Sequence, residues 1–449
     1  MSGFVRSSHY RHVFVDPPKV ENTYKGFRLA TVTGEQQYIK GNTKFFAVAL
    51  QGGGGPFAVV PYGKKGQFAP GTPVVAGHKS AVLDFDFNPF HEHIIASASE
   101  DSTIKVWGIP PDGLTETITE PLVDLHGHGR KVTLLRFHPT ANNVLGSVSG
   151  DFSVKVWDIE KGCEVSGMPA HEQLIQDLVW DYEGKMWATT CKDKKVRLGD
   201  PRAGAVAMEL PEAHAGAKSV KMTFLGDTGR FQRRFATVGF TKQSQRQIKV
   251  WDVRDLSKMV HKVDLDQAAG VIVPYYDCDT KVLYLCGKGD GNIRYYEMSK
   301  DKPFAFALSE YRSTQAAKGS CFLPKRGLNV MACETARCLK LTSQNGNGIV
   351  EPLSFIVPRK SDAFQDDIFP DTFSGHPSCT ADEWLSGVTK TPLMMSLNPD
   401  SAGAKPTGGA TKAFVPMKTP AALQKEIDEK DKRIALLEAR LKAAGLDCS

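Results

Sequence analysis

Histidine, aspartate and hydroxyl side chains recur along this chain at spacings that let them share protons, either in a reaction centre or in a structural lock. His78 is followed by Asp101 and Trp107, and His128 by Asp151 and Trp157. In both units 29 residues separate His from Trp and 6 separate Asp from Trp. Ser97 or Ser99 in the first unit, and Ser147 or Ser149 in the second, supply a hydroxyl. A set that returns with a Trp at a fixed beat is the pattern of a four-stranded propeller blade. With His at the blade entrance, Asp in the turn before the third strand, Trp on that strand and the hydroxyl on the second, the four groups can lock the blade by hydrogen bonding. The chemistry they predict is therefore structural.

Other reactive-looking groups give no reaction centre either. Gly52 to Gly55 could cradle a phosphate, but no Lys-Ser or Lys-Thr follows and Pro56 removes a donor, so a hairpin loop is expected. Gly287 to Gly291 is glycine-rich for the tight geometry of a turn. His91 and His93 lack the i, i+4 spacing of a helical zinc pair, and His171 has no second His four residues on. No G-x-S-x-G elbow is present. The residues predict a binding module with no cofactor and no metal, not an enzyme.

The elements that must carry the locks extend well beyond two units. His171 leads to Asp193 and then to Gly199, a blade that has lost its Trp. His214 leads to Trp251 over a longer gap, with 231–234 and 242–246 expected as loop insertions. Asp290 is followed six residues on by Tyr296, which can replace Trp. The anchors Trp107, Trp157, Gly199, Trp251 and Tyr296 are spaced by 50, 42, 52 and 45 residues, against a usual blade length of about 40–45. Two more blades are expected. One lies in 25–70, from the runs 44–50 and 56–61; the other lies in 303–357, from the runs 304–308, 319–323, 336–341 and 352–357. The predicted architecture is an all-β, seven-bladed propeller over 1–357, a ring without open sheet edges.

After Pro358 the composition changes. Residues 358–398 are rich in Pro, Asp and Ser yet carry Phe364, Ile368, Phe369, Phe373, Trp384 and Leu385, so an extension packed on the propeller is expected. Residues 399–420 have little to bury and read as a flexible linker. Over 421–446, Leu423, Ile427, Lys430, Ile434, Leu437, Leu441 and Ala444 alternate by fours and threes, the seam of a coiled coil roughly 33 Å long. The linker before it and its charged non-stripe faces favour self-association over docking on its own ring.

The chain of 449 residues is 41% hydrophobic and 24% charged, with a formal net charge of +6. The excess lies outside the balanced coil and favours an acidic partner, while no dense basic stripe points to nucleic acid. Nine cysteines without a C-x-x-C pair read as free thiols, and no apolar run reaches membrane length, so a cytoplasmic protein is expected.

Arg6 to Phe14, Gly77 to Asp84, Cys191 to Arg197, Gly287 to Tyr296 and Leu323 to Leu328 together resemble the short coronins, a family of actin-associated propeller proteins. The most specific is Val357 to Asp362 with Phe364 to Thr372, which a generic propeller has no reason to carry. The resemblance implies F-actin binding and bundling, regulation of the actin-related-protein branching complex and of cofilin-driven turnover, and a place in the cortical actin cytoskeleton. It also implies that a basic residue early in the first blade touches the filament, and the matching position within Tyr24 to Arg28 is Arg28. In the coil, Arg433, Ile434, Leu437 and Glu438 fit the R-h-x-x-h-E trimerisation pattern. Arg433 is at g and Glu438 at e, so the two can fork between helices. Lys430 at a d position should weaken the first heptad. The alternative to an actin-binding adaptor, expected to be a homotrimer, is a general propeller scaffold in membrane traffic or signalling.

Overall fold

A computed structural model of the chain describes residues 7–31, 36–226 and 233–401, together with Lys430, Arg433 and Ile434. Seven blades form a closed ring. The first holds Ile39–Gly41, Phe45–Ala49 and Phe57–Pro61, with Val75 bridging Phe57 on its outer side. The next five are four-stranded antiparallel sheets whose innermost strands are Val82–Phe87, Val132–Phe137, Ile175–Trp180, Lys221–Phe224 and Ile272–Asp277.

The seventh blade is assembled from both ends of the chain. Ala317–Phe322, Glu334–Gln344 and Asn347–Ile356 supply three strands, and Tyr24–Arg28 pairs antiparallel with the third, Tyr24 opposite Val350 and Arg28 opposite Asn347. Phe14–Asp16 adds to the far end of the same strand, Phe14 opposite Ile356. The run 304–308, expected in the last blade, instead belongs to Ala305–Tyr311, the outer strand of the sixth. The strand near residue 25, expected in the first blade, sits in the last. Because the N-terminal strand fills the outer position there, the C-terminal side needs to provide only three strands.

Strand composition follows from the geometry of stacked blades. Ile94–Ser99 and Val144–Ser149 are buried at every position, because a neighbouring blade covers each face. Their Ala, Ser and Gly residues let the sheets approach. Seven apolar clusters fill the seven gaps between blades.

The segment after the ring is held on two of those gaps. Ile368 and Phe369 join the cluster between the sixth and seventh blades, where the Tyr10 hydroxyl donates to the Ile368 carbonyl at 3.2 Å. Cys379, Ala381 and Trp384 join the cluster between the third and fourth. The short helix Ala381–Leu385 begins at Thr380, whose side chain and that of Glu383 form a reciprocal capping box. Lys430, Arg433 and Ile434 are helical and exposed, whereas Leu423, Ile427, Leu437, Glu438 and Leu441 of the expected coil lie outside the described residues.

Candidate functional site

The second and third blades carry complete locks. His78 Nδ1 donates to the Asp101 carboxylate at 2.9 Å, its Nε2 faces the Ser97 hydroxyl at 2.8 Å, and Trp107 Nε1 donates to the same hydroxyl at 2.8 Å. His128, Asp151, Ser147 and Trp157 repeat the arrangement, at 3.3, 2.7 and 2.8 Å. The hydroxyl is thus Ser97 and Ser147. Ser99 and Ser149 instead donate to the carbonyls of Ser80 and Arg130. Burial alone would raise the Asp101 carboxyl, but hydrogen bonds from His78 and Thr103 hold it well below the usual carboxylate range. The histidines are buried and the sets face inward between strands, so they brace the blades and present nothing to a substrate.

The later blades keep parts of the lock. In the fourth, His171 meets the Thr189 hydroxyl at 2.9 Å, but Asp193 turns to Arg197 at 2.6 Å. The missing indole is restored one strand inward, since Trp187 pairs directly across from Gly199 and is fully buried. In the fifth, His214 and Trp251 share Thr237, each at 2.9 Å. In the sixth, Tyr296 takes the third-strand position, and Asp290 accepts from Arg246 of the preceding blade at 2.9 Å. Arg246, expected in a loop insertion, opens the strand Arg246–Asp252 and is buried; Arg234 likewise opens the strand Arg234–Phe240. Arg246 tolerates burial because Asp266 holds its fork at 2.6 Å on both nitrogens and Asp290 holds the rest.

A second set of anchors, which sequence reasoning missed, lines the central channel. Asp84 accepts from the backbone N–H of Leu135 at 3.0 Å, Asp86 from Phe137 at 3.0 Å and Asp177 from Met222 at 3.1 Å. Each carboxylate thus ties its inner strand to that of the next blade. Arg136 sits between two of them, 3.1 Å from Asp84 and 3.6 Å from Asp177. The signal was the placing of acids on strands that are otherwise almost wholly apolar. The channel holds a cavity of 450 Å³, and Thr372 and Phe373 of the C-terminal segment line it at one end. There Lys325 lies 2.7 Å from Asp277, and Thr372 donates to Asp279 at 2.6 Å. Burial, then the neighbouring Asp277, pushes the Asp279 carboxyl up.

Arg28 is exposed at the end of the strand Tyr24–Arg28 of the ring-closing blade, whose far side pairs with Gly66–Gln67. The Gly52 to Gly55 segment is a hairpin connection, closed by the N–H of Leu50 on the Pro56 carbonyl at 2.9 Å. A side chain at Gly55, where φ is +57°, would meet the Ser80 carbonyl at 2.3 Å. His93 is held by the Ile109 carbonyl at 3.1 Å. Among the described residues no three His, Cys, Asp or Glu converge as metal ligands, and no helix is long and apolar enough to cross a membrane.

Comparison with known proteins matches these features. Residues 71–108 and 119–158 match the WD domain, G-beta repeat; residues 350–392 match a further type of WD40 repeat; and residues 3–67 match a domain of unknown function (DUF1899). Coronin-A of Dictyostelium discoideum is 43% identical, with 98% of this chain and 97% of that protein covered. Human Coronin-2A is 42% identical, over 89% of this chain and 76% of that protein. Among solved structures, the WD40 domain of Toxoplasma gondii coronin superposes with a TM-score of 0.81 at 31% identity, covering 87% of this chain and 98% of that one.

Proposed function

Since the chain belongs to the coronin family, we propose that it is a non-enzymatic F-actin-binding adaptor, bundling filaments and influencing branching and turnover as an oligomer. The observation that carries the reading is similarity to coronins along 98% of the chain, the C-terminal segment included. The exposed Arg28 on a net basic protein fits an acidic filament. The branching complex and cofilin are partners in the same proposal, as is a place at the cortical cytoskeleton.

Charge reversal tests the filament contact. Arg28→Asp should weaken co-sedimentation with F-actin while leaving the melting temperature unchanged, because its side chain is exposed. Binding by the parent should also fade as salt rises, since exposed charges are screened within about 10 Å at 0.1 M. Undiminished pelleting of the folded variant would remove Arg28 from the contact.

The oligomer proposal rests on Arg433, Ile434, Leu437 and Glu438 standing in phase over 421–446, beyond a linker at 399–420. Ile434 is helical and 52% exposed, as a seam residue without its partner helices would be. The full chain should sediment as a trimer, and a chain ending near Lys412 as a monomer. Bundling needs two filament sites per particle, so truncation should abolish bundling while single-filament binding drops only through lost avidity. A truncated chain that still associates would move the interface to the ring.

A further inference from the structure

The channel has two unlike ends. Thr372 and Phe373 line the cavity at one end. At the other, where the inner strands begin, a second cavity of 420 Å³ is lined by Leu83, Lys131, Leu174, Ile175, Lys192 and Val271 among others. That volume suits a bound side chain with part of its backbone. Five apolar residues share the lining with Gln36, Thr133, Gln176 and Ser219, and Leu174 is 43% exposed. Leu174 directly precedes the inner strand Ile175–Trp180, so a rigid element fixes its position.

The lining of this mouth carries Lys131, Lys192 and Lys218 and no acidic residue. Lys131 stands just before the inner strand of the third blade, Lys192 lies in a turn of the fourth, and Lys218 stands just before the inner strand of the fifth. Lys131 and Lys192 are exposed, and none of the three enters an ion pair among the described residues. Their neighbours Lys194 and Lys195 are by contrast paired, with Glu212 at 3.3 Å and Glu209 at 3.0 Å. Three lysines around a partly apolar hollow are complementary to carboxylates flanking an apolar side chain. Nucleic acid fits less well, since the cavity lining offers no aromatic ring for base stacking and the cations form a cluster, not a track.

We propose that this mouth docks a linear acidic segment of a partner protein. One leucine-like side chain enters between Leu83, Leu174 and Val271, while flanking Asp or Glu residues meet Lys131, Lys192 and Lys218. The site goes beyond the filament reading and does not depend on Arg28.

The test uses the full chain and a fluorescently labelled peptide with one central leucine between runs of Asp and Glu, read by anisotropy. The parent should bind it, with affinity falling as salt rises. The double variant Lys131→Glu, Lys192→Glu should lose roughly tenfold or more, since two attractions become repulsions. Leu174→Ser, and a peptide with serine for its leucine, should each lose severalfold. Arg28→Asp should bind the peptide as the parent does, and both mouth variants should melt with the parent. Absence of peptide binding, or equal binding by the serine peptide, overturns the proposal, as does an oligonucleotide that outcompetes the peptide. F-actin pelleting of the same variants separates the two readings. Loss only in Arg28→Asp leaves the filament contact standing whatever the peptide does. Peptide binding without pelleting by the parent leaves the mouth standing alone.

Discussion

Replacing Trp157 with alanine should lower the stability of the ring by about 3–5 kcal/mol, the usual range for deleting a buried large aromatic. Trp157 is 1% exposed and belongs to the apolar cluster between the second and third blades, so its removal opens a void that two sheets share. It also withdraws the Nε1–H that the Ser147 hydroxyl accepts at 2.8 Å, and the ring edge against His128 at 5.9 Å. A domain whose total stability is about 5–15 kcal/mol would keep only part of it. Trp157→Phe separates the contributions: it retains most of the volume and gives up the hydrogen bond, for about 1 kcal/mol plus some packing loss. Denaturant titration of the parent and both variants reads the effect. A Trp157→Ala chain with the parental midpoint would mean that the lock does not brace the blade.

Acidification from pH 7 to 5 should destabilise the ring by several kcal/mol, through buried histidines that the fold keeps neutral. Burial lowers His138 to about 3, His214 to about 3 with help from the nearby Lys249 charge, and His171 to about 4 with help from Arg197. His138 shows why geometrically. Its Nε2–H donates to the Gly184 carbonyl at 2.8 Å, while Nδ1 accepts from the N–H groups of Thr140 and Ala141 at 3.2 and 2.8 Å. A proton on Nδ1 would face two donors. With folded values of 3–4 against about 6.5 when unfolded, the unfolded chain binds more protons between those limits. Stability is therefore present above pH 6.5 and lost as pH falls, by roughly 2 kcal/mol per histidine at pH 5. Asp181 works the other way. Burial raises its carboxyl to about 6, so the folded chain takes up a proton there first and regains about 1 kcal/mol. Asp279, raised by burial and then by Asp277, acts in the same sense as Asp181, and the three histidines outweigh them. Urea midpoints at pH 7 and 5 decide the matter, and a midpoint that rises on acidification would show that these histidines titrate freely.

What the sequence revealed depended on whether the signal was local. The His, Asp and Trp spacing of the second and third blades is fixed by strand length and turn geometry within about 30 residues, so the blades were legible. The hydroxyl was ambiguous because Ser97 and Ser99 lie two apart and face the same side of one strand. Trp187 escaped notice because its role depends on register, the pairing that sets it opposite Gly199. Arg246 looked like a loop residue because its counter-charges, Asp266 and Asp290, arrive 20 and 44 residues later. The inner-strand carboxylates were hidden for a similar reason, since each serves a backbone N–H in the next blade. Arg28 could be matched by resemblance, but its place in the last blade could not be read from any neighbouring residue.

The ring closure also sets a timetable for synthesis. Tyr24–Arg28 leaves the ribosome among the first segments, and its partner strand Asn347–Ile356 is among the last of the ring. At about 5–20 residues per second, the early strand waits for tens of seconds with its hydrogen-bonding edge unmatched. Six blades can assemble in order as they emerge, but the seventh cannot exist until translation has passed Ile356. A nascent chain stalled before that point is an open arc with two raw edges, prone to pair with the arc on a neighbouring ribosome. Completion of the polypeptide and completion of the fold are therefore nearly the same event.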